Sequence, residues 1–225
     1  MIRNNVEQVL EHIRKAEERS PYHQNVRLIA VSKFRSIEEL EEIVACGLTE
    51  LGENRVQELL QKYPVFEGRV NWHLIGTLQK NKVKYIIDKV SLIHSVDSIS
   101  LAEEIEKQAA KKTLTANVLL QVNVAKEESK HGFDEEELEE ALPKLAQLKH
   151  VRIRGMMVIA PDIENNEYLQ KLFEKSRNIF DNLMKKTQNY DNMDIEILSM
   201  GMTNDYETAI ECGSNMVRIG RALFN

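Results

Sequence analysis

Two cysteines in 225 residues, Cys46 and Cys212, are too few for a disulfide framework, and neither stands at a metal-ligand spacing. Each reads as a small buried hydrophobe rather than a nucleophile. A basic excess is missing as well: 36 acidic against 30 basic residues leave a formal charge of −6, which argues against the clustered cationic face of a nucleic-acid binder. No apolar run approaches the roughly 18 residues of a membrane span. Residues 1–20 are charged throughout, so no secretory leader is expected. There is no Pro/Gly/Ser-rich linker and no low-complexity stretch to mark a domain boundary. The six histidines show neither ligand spacing nor a Ser-His-Asp ordering. What remains is a cytoplasmic, metal-free protein forming one domain over residues 1–225, with 42% hydrophobic content to build its core.

What the chain does have is alternation. After an N-terminal helix expected over 2–19, β-branched runs recur near 26–32, 49–52, 70–75, 90–95, 116–124, 151–158, 194–200 and 216–219, separated by amphipathic segments. Capping boxes are expected at Ser36/Glu39, Ser100/Glu103 and Asp134/Glu137. Ala45-Cys46-Gly47 and Glu211-Cys212-Gly213 each place a glycine where a helix ends in a left-handed residue. Eight strand–helix alternations in a chain of this length predict an α/β fold, a single (β/α)8 TIM barrel with an extra N-terminal helix.

Such a barrel gathers functional groups at the C-terminal ends of its strands. Lys33 ends the first apolar run, Leu28-Ile29-Ala30-Val31-Ser32, and a lysine leaving an apolar wall suits Schiff-base chemistry because burial favours the neutral amine. Ser199-Met200-Gly201-Met202-Thr203 ends the seventh run with two hydroxyls and turnable amides, and opens a helix expected near Asn204 with Thr203 as its cap. Arg218-Ile219-Gly220 ends the eighth with a fixed cation and a close-approach glycine. The first and eighth strands are neighbours in a closed barrel, so Lys33 and Arg218 can share one pocket. A Schiff-base lysine facing a phosphate site suggests a phosphorylated aldehyde, of which pyridoxal 5'-phosphate (PLP) is the obvious one. Glu53-Asn54 reads equally well as a turn, His73 as a satisfied core histidine, and the acidic run 134–140 as a solvated helix face.

These segments carry a resemblance that runs the length of the chain. Ala30-Val31-Ser32-Lys33, Gly52-Glu53-Asn54, His73-Leu74-Ile75-Gly76 with Leu78-Gln79 and Asn81-Lys82, Ser95-Val96-Asp97-Ser98, Ser199-Met200-Gly201-Met202 with Asp205-Tyr206-Glu207, and Met216-Val217-Arg218-Ile219-Gly220 are similar to motifs of the PLP homeostasis proteins, the YggS/PROSC family. The resemblance implies a fold-type III PLP barrel like the alanine racemase N-terminal domain, with the cofactor on Lys33. It implies that Asn54 approaches the cofactor ring, while Ser199, Gly201, Thr203, Arg218 and Gly220 surround the phosphate and ring nitrogen. It also implies a monomeric carrier that supplies PLP to apo-enzymes without an established reaction. Two departures, Arg55 and Thr77, fall near the expected pocket mouth. An arginine at the pyridine nitrogen would keep that nitrogen unprotonated and weaken the ring as an electron sink. The chain also stops five residues beyond Gly220, without the second domain that supplies a racemase's opposing base. The alternatives are a weak PLP-dependent amino-acid racemase, and a barrel acting on sugar phosphates through a Schiff base on Lys33.

Overall fold

Ile2, Val6, Val9, Ile13 and Ala16 recur at intervals of three and four residues, so a helix gathers them on one stripe. All five are buried in α1 (Ile2–Arg19), the first element of the computed structural model, which describes residues 1–126 and 131–225. There follow β1 (Arg27–Val31), α2 (Ile37–Ala45), β2 (Glu50–Glu53), α3 (Val56–Phe66), β3 (Asn71–Leu74), α4 (Val83–Ile86) and β4 (Leu92–Val96). Next come α5 (Ile99–Lys111), β5 (Ala116–Val122), α6 (Glu135–Leu145), β6 (Val151–Val158) and α7 (Asn166–Lys186). The chain finishes with β7 (Met193–Ser199), α8 (Tyr206–Glu211), β8 (Met216–Ile219) and α9 (Arg221–Phe224).

Each strand pairs in parallel with the next, and β8 returns to β1 through Leu28↔Val217 and Ala30↔Ile219. The result is the expected closed eight-stranded barrel. Side chains of a strand alternate between its faces. In β1, Leu28 and Ala30 pack into the shell between barrel and helices. Ile29 faces inward, joining Leu92, Leu119, Met157, Ile197 and Met216 in a plug that fills the barrel.

Helix boundaries follow local chemistry, with two corrections. The Ser36/Glu39 and Asp134/Glu137 capping boxes form as expected, and Gly47 and Gly213 follow the Cys46 and Cys212 caps with φ of +88° and +94°. The box at Ser100/Glu103 does not form. Ser98 adopts the extended cap conformation and accepts from the Leu101 amide, so α5 starts before Ser100. The helix expected near Asn204 begins instead at Tyr206, because the Asp205 side chain accepts from the Met202 amide at 2.6 Å and closes the loop first. Thr203 is therefore a loop residue and no cap.

The additional helix braces the end of the chain. Asn5 Nδ2 donates to the Leu223 and Asn225 carbonyls, and Arg19 pairs with Glu207 and Glu211. α1 thereby holds the two units that carry Thr203, Arg218 and Gly220. Among the described residues, no helix is long and apolar enough to cross a membrane, and no group of three or more His, Cys, Asp or Glu is placed to hold a metal ion.

Candidate functional site

β1 ends at Val31, and the next two residues carry the chain over the barrel rim. The Ser32 amide donates to the Gly52 carbonyl at 2.9 Å and its hydroxyl donates to Glu53 Oε1 at 2.8 Å, fixing the overhang to β2. From α3, Lys62 Nζ donates to the Ser32 carbonyl at 2.7 Å and to Glu53 Oε1 at 2.5 Å. Glu58, one turn earlier, accepts from the Phe34 amide at 3.0 Å. The backbone on both sides of Lys33 is thus clamped by one helix. Phe34 sits at φ +61°, a region uncommon for an aromatic residue, with its ring 73% exposed beneath the Arg55 guanidinium. Lys33 itself is exposed. The burial expected from the apolar run stops at Ser32, because the overhang lifts the lysine to the mouth.

Arg218 is the opposite case, 4% exposed in the third position of β8. Nη1 donates to the Ser199 carbonyl at 3.0 Å and hydroxyl at 2.6 Å, and Nη2 donates to the Val158 carbonyl at 2.9 Å. These bonds engage three of the five guanidinium hydrogens, leaving those on Nε and one on Nη2. Burial pulls the Arg218 pKa down to about 10 although Asp205 opposes the shift, so the side chain remains a cation at neutral pH. Asp205 is itself pushed above the usual carboxylate range, first by burial.

The β7–α8 loop offers anion-binding groups of a different origin from those the sequence suggested. A six-residue α8 contributes little dipole. The Thr203 and Asn204 amides instead make no hydrogen bond among the described residues, and the Asn204 side chain is held by Asp162 at 3.1 Å. Gly201 is required for packing: at φ +98°, a Cβ there would lie 2.7 Å from the Ala209 Cβ.

Lys33, Thr203, Arg218 and Gly220 line one cavity of about 430 Å³, together with Val31, Pro161, Asp162, Met202, Asn204, Asp205 and Arg221. A Cβ on Gly220 would narrow it toward Val31, 3.3 Å away. Ser199 and Gly201 are buried away from that lining. Asn54 faces a separate groove of about 490 Å³ with Arg55, Thr77 and Lys82, and its Oδ1 is buried without a partner.

His73 and Cys212 behave as expected, whereas Cys46 is only half-buried. His73 is a buried core histidine bonded on both nitrogens, to His94 at 2.9 Å and Glu50 at 2.6 Å. The Cys212 thiol is pushed up to about 11 by burial, which leaves it an inert hydrophobe. Sequence reasoning missed Lys62, Glu58 and His94, and it gave Asp205 no role beyond its place in a motif. The Glu58/Lys62 pair has the i,i+4 spacing of a helix face, a signal present in the sequence but normally read as solvent-exposed.

Comparison with known proteins identifies this arrangement. A family model described as alanine racemase, N-terminal domain, matches residues 4–225. The pyridoxal phosphate homeostasis protein of Aquifex aeolicus is 44% identical over 218 residues, covering 96% of this chain and 94% of that protein. Its Helicobacter pylori namesake is 36% identical over 225 residues, covering 99% and 97%. PipY of Synechococcus elongatus, solved without and with bound PLP, is 33% identical and superposes over 100% of both chains with TM-scores of 0.89 and 0.86. Alanine racemase of Clostridium difficile shares the fold alone, at 18% identity and a TM-score of 0.73 over 98% of this chain and 56% of that one. On its match to the alanine racemase N-terminal domain and on relatives this similar over nearly their whole length, the chain belongs to the pyridoxal phosphate homeostasis protein family.

Proposed function

We propose that residues 1–225 form one PLP-binding barrel that holds the cofactor as a Schiff base on Lys33 and supplies it to apo-enzymes. The observation that carries this reading is the single cavity shared by Lys33, Thr203, Arg218 and Gly220. PLP requires a primary amine for its aldehyde, donors for its phosphate and a group facing its ring nitrogen. The cavity meets these needs in order: an exposed lysine, the unengaged Thr203 and Asn204 amides with the Thr203 hydroxyl, and the spare donors of Arg218. PipY, a relative of matching length, was solved with PLP bound. When bound, PLP supplies an aldehyde that condenses with amines and a ring that withdraws electrons.

Carriage is favoured over racemisation because of what faces Lys33. Among the described lining residues the acidic groups are Asp162 and Asp205. The first accepts from the Asn204 side chain and the second from the Met202 amide, so we read both as tied to the loop that carries the phosphate donors rather than set against Lys33 as an opposing base. Losing general acid–base assistance on one face costs about 100- to 10,000-fold. The barrel loaded with PLP and desalted is expected to reactivate an apo-enzyme in the presence of a phosphatase that destroys free PLP. It is expected to convert L- to D-alanine far more slowly than the median enzyme turnover of about 10 per second. Failure to reactivate beyond an equal dose of free PLP would sink the supply role. Steady racemisation at about one per second, lost in Lys33→Ala, would make the protein an enzyme.

Arg218→Ala should release PLP more readily than Ser199→Ala. A charge-assisted bond contributes roughly 1.5–3 kcal/mol, about tenfold or more in affinity. Ser199 acts from beneath the cavity lining. Dialysis followed by PLP quantification measures the order, and equal retention would remove Arg218 from the proposed site.

A further inference from the structure

A line of buried polar side chains crosses the barrel interior where the hydrophobic plug would be expected to continue. It runs from Arg218 on β8 through Ser199 on β7, His94 on β4 and His73 on β3 to Glu50 at the start of β2. The distances are 2.6, 3.2, 2.9 and 2.6 Å in that order. Its two ends belong to different mouths. Arg218 lines the cavity of Lys33, whereas Glu50 and His73 line a pocket of about 210 Å³ with Arg27, Arg154 and Glu196.

The direction of every bond follows from donor chemistry. A guanidinium can only donate, so Ser199 Oγ accepts from Arg218. The Ser199 oxygen has a second lone pair, so the bond to His94 is directed from the Glu50 end. With both imidazoles neutral, the carboxylate accepts from His73 Nε2, His73 Nδ1 accepts from His94 Nε2, and His94 Nδ1 accepts from the serine hydroxyl. The Glu50 carboxylate closes the chain as an acceptor: although burial raises its pKa, the bonds from His73 and Asn71 and the charge of Arg27 hold it below the usual carboxylate range. His94 is kept neutral first by its burial, and the nearby Arg218 cation acts in the same direction. Asp205 is the other charged group acting on Arg218. With a permanent donor at one end and an anion at the other, only one tautomer of each histidine satisfies every member.

We propose that His94 and His73, anchored on Glu50, are positioning residues that hold the Ser199 hydroxyl and, through it, the Arg218 guanidinium in one orientation at the Lys33 cavity. The consequence for the cofactor rests on the PLP reading above, but the chain itself does not, so the two are measured separately. In ligand-free protein labelled with ¹⁵N-histidine, NMR at neutral pH is expected to show His73 and His94 each as the neutral Nε2–H tautomer. Glu50→Gln replaces the acceptor-only end with an amide that can also donate, so His94 should become a mixture of tautomers. PLP retention should fall about threefold to tenfold, the range of one hydrogen bond, although Glu50 lies at the opposite mouth. A protonated or Nδ1–H His94 in the parent protein would overturn the proposal, and that measurement decides it even if Glu50→Gln does not fold. In a folded Glu50→Gln variant, an unchanged His94 tautomer or unchanged PLP retention would also overturn it. If the parent protein bound no PLP at all, the cofactor reading and the positioning role built on it would fall, while the tautomers would still test the chain.

Discussion

Lys62→Met is expected to destabilise the protein by about 3–5 kcal/mol, the usual consequence of removing one partner from a buried ion pair. For a chain of this size that corresponds to a fall in melting temperature of roughly 6–20 °C. Glu53 is fully buried and its Oε1 accepts from both Lys62 and Ser32, so the variant strands an anion with only the Ser32 hydroxyl and the Asn54 amide for company. The loss comes mainly from that uncompensated charge. Glu53→Leu combined with Lys62→Met should therefore cost much less than the two single changes added together. Denaturant unfolding of the three variants measures the coupling. A single Lys62→Met variant within about 1 kcal/mol of the parent would show that water reaches Glu53 and that the pair contributes little. The same variant frees the Ser32 carbonyl, so Lys33 should also lose its fixed approach to the cavity.

Lys33→Ala is expected to abolish the borohydride-trappable PLP adduct and leave the melting temperature essentially unchanged. The two outcomes separate because Lys33 is exposed, and its amine makes no hydrogen bond among the described residues. Its contribution is chemical, while the clamp around it is formed by Ser32, Phe34 and α3. PLP should still be retained without a covalent bond, through Arg218 and the Thr203–Asn204 amides. Mass spectrometry after reduction reads the adduct directly. An adduct at full yield in the variant would place the attachment on another amine, with Lys82 in the Asn54 groove the first to map by peptide digestion.

Much of the architecture is readable from local patterns. The runs at 151–158 and 216–219 coincide with β6 and β8 to the residue, and the stripe from Ile2 to Ala16 defines α1. Lys33, Arg218 and Gly220 follow from the same logic, because a residue at the end of a barrel strand has only one rim to occupy. Local signals fail where two compete within a few residues. Ser98 and Ser100 are equally good caps by type, and Thr203 competes with Asp205. The choice falls to whichever side chain the preceding strand leaves facing a free amide.

By itself the sequence determined the barrel, its additional helix and the strand ends on which Lys33, Thr203, Arg218 and Gly220 stand, because periodicity and turn chemistry act over a few residues. The eight alternations also implied that Lys33 and Arg218 can share a pocket, but only the tertiary structure decided which other groups join them. Closure of β8 on β1 brings Arg218 to the cavity of Lys33, while Asn54 turns into a neighbouring groove. The same closure sets His94 against Ser199 across 105 residues of chain, and packing of α3 on β2 buries Lys62 against Glu53. No local pattern encodes such pairings. They exist because a closed barrel gives each inward side chain a fixed opposite neighbour, and a buried polar group must find its partner there.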